Sequence, residues 1–234
     1  MTLAAARLDA AKAATMARDH HVHIKAREDI AKIAMSWWLV ASRLGHSFNV
    51  CSFVTDILAK RLRGKGALQI KFCSYEELPE KACVTFNPLT LHIVENIWRD
   101  ADSGRPYARY IVAHEIGHIV LHDQFAVAFS DDKAAQLKYV QDEESGEWQA
   151  NTFADCFLVP DHVAIKLGEP DLTAGLCVVA DDVAARRLRE ANSEKCVLMP
   201  QYEGEMCSEC GQFSLVRNGT CMKCDTCGST MGCS

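Results

Sequence analysis

His114-Glu115-Ile116-Gly117-His118 sets two imidazoles four residues apart, with a carboxylate directly after the first. On an α-helix such histidines differ by about 40° around the axis and about 6 Å in rise, so both rings can converge on one metal ion. Glu115 projects about 100° away, where a carboxylate is suited to take a proton from water instead of binding the ion. The bland alternative is an amphipathic helix with two satisfied histidines, since Ile111, Val112, Ile116, Ile119 and Val120 give it an apolar body. A catalytic zinc takes three protein ligands and keeps one position open. Glu147 is the choice for the third, because Asn151 and Asp155 follow it at steps of four as hydrogen-bonding neighbours. His122 is the rival, but three histidines at successive steps of four on a straight helix spread over about 12 Å.

A second constellation lies near the C-terminus. Cys207-Ser-Glu-Cys210-Gly211 and Cys224-Asp-Thr-Cys227-Gly228 are two knuckles with thirteen residues between them, which is the pattern of a closed tetrahedral zinc site with glycine permitting each turn. Cys221 competes with Cys227, since Cys221-x-x-Cys224 is also a knuckle. So short a tail has almost no core, and metal would supply most of its folding free energy. The expectation is two Zn2+ per chain, one catalytic and one structural. Cys221 and Cys233 are the thiols left for redox or sensing chemistry, or for none. Cys51, Cys73, Cys156, Cys177 and Cys196 sit singly among apolar residues and read as small buried hydrophobes. Cys83, on a strand just upstream of the first motif, is a candidate regulatory thiolate that would fill the open zinc position.

These residues need a scaffold. Arg105 to His122 reads as a helix opened by Pro106, and a second helix runs from Glu147 to Leu158 and is closed by Pro160. Helices are also expected at Ser36 to Leu44, Phe53 to Arg63, Asp161 to Leu167 and Asp181 to Ala191. Leu68 to Phe72, Ala82 to Phe86 and Leu91 to Trp98 read as strands of a small, mostly antiparallel three-stranded sheet. Residues 130 to 146 read as a polar connection or a loose helix. The expected class is α+β, with a helical lead-in over 1–35, which carries His20, His21 and His23, a main domain over 36–200 and a zinc-ribbon tail over 201–234.

Composition narrows the classes further. Hydrophobic residues make up 49% and charged residues 24% of the 234, which excludes a wholly disordered or collagenous chain. With 31 acidic against 25 basic side chains the net charge is −6, so bulk charge does not coat nucleic acid, although a local patch can bind it. No apolar run approaches a membrane span, no secretory signal is evident, and six of the twelve cysteines crowd the last 28 residues, as metal sites in a reducing compartment do. The expectation is a cytoplasmic protein.

The run His114-Glu-Ile-Gly-His-Ile-Val-Leu-His122, then Glu147-Trp-Gln-Ala-Asn-Thr-Phe-Ala154 and Leu158-Val-Pro160, resembles the ImmA/IrrE metallopeptidases over roughly residues 50 to 195. Val179 to Leu188 is similar to that family's closing segment. The resemblance implies a zincin-like fold and a gluzincin-type endopeptidase, with His114, His118 and Glu147 as ligands and Glu115 as general base. It also implies, as substrate, a partner helix-turn-helix repressor, whose cleavage releases prophage, mobile-element, DNA-damage or defence genes. Arg217 to Ser234 resembles the zinc ribbon that ends adenosylcobalamin-dependent ribonucleotide reductases, without any reductase barrel here. Arg217, Lys223 and Phe213 are the ribbon's candidates for contacts to single-stranded DNA or another nucleic-acid activator. Tyr107, Arg109 and Tyr110 lie near the first motif but read as packing and solubility residues. Two other readings are an idle zinc-ribbon adaptor that binds nucleic acid and a thiol redox protein; an intact Glu115 favours the peptidase, since a scaffold has no use for a base. The repressor, its scissile bond and the oligomeric state are not written in the sequence.

Overall fold

The computed structural model describes residues 22–42, 45–62, 67–122, 142–193, 204–219 and 221–232. His20, His21, the polar stretch 130–141, Cys196, Met199-Pro200 and Cys233 lie outside the described residues. The described chain divides into two compact units, one holding residues 22–24 and 50–151, the other Lys25–Asn49 and the residues from 152 on.

The first unit begins with helix α2, which starts as Val50–Ser52, widens to a π-helical stretch at Phe53–Leu58 and ends as Ala59–Arg61. Three strands follow, β1 Gln69–Cys73, β2 Ala82–Phe86 and β3 Leu89–Val94. Their order is β1-β3-β2, with β1 parallel and β2 antiparallel to β3, so the sheet is mixed, half of its pairing parallel. The expected strand to Trp98 stops at Val94, and Glu95–Asp102 is helix α3. The reason is local: Ile97 and Ala101 recur at helical spacing and are buried, and Arg99 Nη2 reaches back 2.9 Å to Glu95 Oε1 one turn earlier.

Helix α4, Pro106–Leu121, carries the first motif. Pro106 fits the first turn, where its missing N–H costs nothing. Val112, Ala113, Ile116 and Ile119 are all fully buried, so the helix is packed around most of its circumference and its rotation is fixed. After a 3-10 turn at Asp142–Glu144, helix α5 spans Gly146–Leu158; its first residues, to Asn151, belong to this unit.

In the second unit, helix α1 is Arg27–Ser42, so helix already begins within the expected lead-in. The end of α5 is followed by α6 Asp161–Leu167, α7 Pro170–Cys177 and α8 Asp181–Ala191. Helix α7 is an addition to the sequence reading; Pro170 opens it and Thr173, Ala174 and Cys177 form its buried face. Arg187 of α8 is 0% exposed, and it donates to Asp161 of α6, to Glu190 and to the Val159 carbonyl. Arg27 of α1 reaches the same Asp161 at 3.0 Å. A buried guanidinium with all these partners holds α1, α6 and α8 in one register, and removing one partner would leave a costly unpaired charge.

The tail is a second three-stranded sheet, β4 Leu215–Asn218, β5 Cys221–Cys224 and β6 Thr230–Met231, antiparallel in the order β4-β5-β6. It packs on α1: Trp37 Nε1 donates to Gln212 Oε1 at 2.6 Å, and the Trp37 and Phe213 rings meet edge to face at 5.0 Å. Among the described residues no helix is long and apolar enough to cross a membrane.

Candidate metal centres

Helix α4 and the first turn of α5 bring His114, His118 and Glu147 together, with one donor atom from each lying within 4.8 Å of the others. His114 Nε2 is 3.0 Å from His118 Nε2, and the Glu147 carboxylate oxygens lie 3.2 Å from His114 Nε2 and 3.3 Å from His118 Nε2. Asn151, one turn beyond Glu147, places Oδ1 2.9 Å from His114 Nδ1. An amide oxygen only accepts, so His114 carries a hydrogen on Nδ1 and, when the ring is neutral, turns a bare Nε2 to the cluster. Lone pairs and a carboxylate facing one another at these distances call for a cation, and two imidazoles plus one carboxylate are a set that zinc accepts.

The charges follow the same logic. Burial works to raise the Glu147 carboxyl, yet hydrogen bonds and attraction from His114 and His118 outweigh it and hold the group far below the ordinary carboxylate range. Burial works to lower His114, but Glu147 and Glu115 prevail and raise it. Glu115 differs. It is 6% exposed, its Oε2 is buried without a hydrogen-bond partner, and burial raises its pKa despite the two histidines. A carboxylate held in that condition is a ready proton acceptor.

His114, Glu115, His118 and Glu147 all line one cleft of about 270 Å³, whose other walls come from β2 (Ala82, Cys83, Val84, Phe86), Glu80, Tyr110 and Ile111. Cys83 is therefore a wall residue, and its thiol is not part of the three-atom cluster. Burial, then the negative charges of Glu115 and Glu80, push that thiol up to about 12. Tyr110 faces the cleft, Arg109 is buried, and Tyr107 is exposed with its hydroxyl 2.6 Å from Lys81 Nζ. Asp155, expected as a neighbour of the ligands, is taken by Arg186 at 2.8 Å. His122 does not join the cluster; its Nδ1 lies 3.1 Å from His118 Nδ1, and Gln149, which the sequence reading passed over, stands behind it at 3.2 Å. The i, i+2 step from Glu147 to Gln149 was the only local signal, and it reads as ordinary helix.

In the ribbon, Cys207, Cys210, Cys224 and Cys227 bring their sulfurs within 4.8 Å of one another. Cys207 to Cys227 is 3.7 Å and Cys210 to Cys224 is 3.5 Å, close to the roughly 3.8 Å edge of a tetrahedron with 2.3 Å zinc–sulfur bonds. The two knuckles repeat each other. Gly211 and Gly228 have φ of +72° and +75°, and each donates its N–H to the carbonyl of the knuckle's first cysteine, at 2.9 and 2.8 Å. Burial works to raise the Cys207 thiol, but the Ser229 hydroxyl and the amides of Cys210 and Glu209 bring it down to about 6, favouring a thiolate. Cys221, the alternative fourth ligand and candidate free thiol, is disulfide-bonded, and Cys227 takes the fourth corner. Phe213, offered as a stacking residue, is 2% exposed against Trp37, so its ring is not presented to a base.

Both centres can now be set beside known proteins. Residues 95–173 match the Peptidase_M78 family, described as the IrrE N-terminal-like domain. The Peptidase_M78 match runs from α3 into the first turn of α7 and takes in His114, Glu115, His118 and Glu147, so the first centre lies in a segment similar to a metallopeptidase family. A short C-terminal segment is 91% identical over 33 residues to the vitamin B12-dependent ribonucleotide reductase of Bradyrhizobium diazoefficiens, and 73% identical over 33 residues to that of Agrobacterium fabrum. Each alignment covers 14% of this chain and 3% of the reductase. No solved structure matches the chain.

Proposed function

We propose that this protein is a zinc-dependent endopeptidase that cuts a helix-turn-helix transcriptional repressor at one site, with a second, structural zinc in the ribbon. The observation that carries the peptidase reading is the convergence of His114, His118 and Glu147 at the cleft where Glu115 is buried with its Oε2 unpartnered. His114, His118 and Glu147 would hold the zinc, which when bound supplies Lewis acidity to the scissile carbonyl. Strand β2 is an edge of its sheet among the described residues and lines the cleft, so its main chain can pair with an extended peptide. Glu115 accepts the proton of the attacking water and returns it to the leaving amine, two transfers by one carboxylate. Repressor cleavage is supported by the family likeness of residues 95–173 alone. Nucleic-acid activation is supported by the exposed Arg217 and Lys223 on β4 and β5.

The test incubates the zinc-loaded chain with helix-turn-helix repressors of its source genome and maps new N-termini by mass spectrometry, with Glu115→Gln as control. One new N-terminus that Glu115→Gln fails to produce supports the reading. No cleavage overturns it, and general degradation overturns the repressor part. Addition of single-stranded DNA should raise cleavage in the wild type but not in Arg217→Ala/Lys223→Ala; equal stimulation of both would remove the ribbon from activation.

A further inference from the structure

Neither His122 nor Gln149 lines the cleft, yet both are buried, at 2% and 0% exposure, and both are polar. They form a chain that starts at two main-chain carbonyls. Gln149 Nε2 lies 2.8 Å from the His23 carbonyl oxygen and 2.8 Å from that of Glu143. Gln149 Oε1 is 3.2 Å from His122 Nε2, and His122 Nδ1 is 3.1 Å from His118 Nδ1. The protons along this chain can be assigned from its carbonyl end. Carbonyl oxygens only accept, so both hydrogens of the Gln149 amide are committed to them; the reversed amide would set three oxygens against one another. Gln149 Oε1 must then accept, and His122 Nε2 must donate. A neutral imidazole has one N–H, so His122 Nδ1 is bare and accepts the hydrogen of His118 Nδ1. His118 Nε2 then carries a lone pair in place of a hydrogen, and it is the atom that faces His114 Nε2 and Glu147.

We propose that the carbonyl–Gln149–His122 chain is a positioning device that fixes His118 in the tautomer whose bare Nε2 faces the first metal centre. The proposal rests on reading His114, His118 and Glu147 as metal ligands. It assigns His122 a role that a fourth ligand, a helix-terminating residue or a packed ring would not have: its Nδ1 must be an acceptor. A doubly protonated His122 would donate to His118 Nδ1 and place a hydrogen on His118 Nε2, where it would block the lone pair. The two carbonyls, on different segments, put a hydrogen on His122 Nε2 and so exclude the neutral ring protonated on Nδ1; the device therefore requires a neutral His122. Asn151 does for His114 with one amide oxygen what the longer chain does for His118.

The experiment has two arms on the full chain. Two-bond 1H–15N correlation on 15N-histidine-labelled protein, with His122 assigned through His122→Gln, reads the tautomer in the metal-free and zinc-loaded forms at neutral pH. His122 is expected with hydrogen on Nε2 and a bare Nδ1 in both; hydrogen on Nδ1, or on both nitrogens, overturns the proposal. The second arm measures zinc affinity at this centre by following the His114 and His118 shifts during titration. His122→Leu should bind about 10–100-fold more weakly. His122→Gln, which can accept with its oxygen and donate with its nitrogen, should recover to within a few-fold of wild type. Equal affinity in all three proteins, or equal losses in the two variants, overturns the proposal. The tautomer arm needs no destabilising variant and stands if His122→Leu fails to fold. No peptide is present in either arm, so absent cleavage would defeat the peptidase reading and leave this one intact, while a wrong tautomer would do the reverse.

Discussion

Glu147 Oε2 lies 3.2 Å from His114 Nε2, and the pKa values of the two groups are driven apart by each other, the carboxyl downward and the imidazole upward. The metal-free chain should register this as a stability window. A lowered carboxyl contributes stability that is complete above its ordinary 4.5 and is lost as pH falls through the folded value. A raised imidazole contributes stability that is complete below its ordinary 6.5 and is lost as pH rises through the folded value. The Tm difference between wild type and Glu147→Gln, both stripped of metal, should therefore be largest between about pH 4.5 and 6.5 and shrink on either side. A difference that does not vary with pH would show that the pair is not ionised in the folded state.

Glu115 gives the opposite sign. Its folded pKa is raised by burial, so the native state binds this proton more tightly than the unfolded chain and loses stability as pH rises above the ordinary 4.5. Without metal, Glu115→Gln should melt at a higher temperature than wild type at pH 8, and the gap should close toward pH 4. With zinc, the same variant should keep its metal and lose about 10²–10⁴-fold in cleavage rate. A variant that still cleaves within a few-fold of wild type removes Glu115 as the base.

Much of this site was legible because its signals are local. The histidines and Glu115 sit on one helix whose apolar period is plain, Glu147 and Asn151 are one turn apart on another, and each knuckle is a closed local turn. Contacts across long separations were not legible. Gln149 looks like helix filler until the His23 carbonyl, 126 residues away, fixes its amide, and only then does His122 acquire a role. Phe213 reads as a stacking residue until Trp37 covers it. Asp155 looks like a neighbour of the ligands by its step of four, but Arg186 on α8 claims it. The parallel pairing of β1 with β3 is similarly invisible, because each strand's own pattern says nothing about direction.

Metal content separates the two centres. Elemental analysis should find two zinc ions per wild-type chain and one in each of His118→Ala and Cys224→Ser, because the donor sets share no residue. Two ions retained in His118→Ala would make the α4 motif a packing feature and leave the ribbon as the functional part. Two retained in Cys224→Ser would point to a replacement ligand in the tail.

Trp37 offers an optical report on the ribbon, since its ring is buried against Phe213 and its Nε1 is held by Gln212. Gln212 and Phe213 directly follow the first knuckle, and the tail's own buried cluster is little more than Cys207, Leu215 and Cys224. With so small a core, loss of the metal should unfold the tail and withdraw both partners from α1. Tryptophan emission of Cys224→Ser should therefore shift to the red of wild type, and the shift should be absent when Trp37→Phe is present in both chains. If the shift persists without Trp37, another of the four tryptophans reports it, and the ribbon does not depend on metal for its seat on α1.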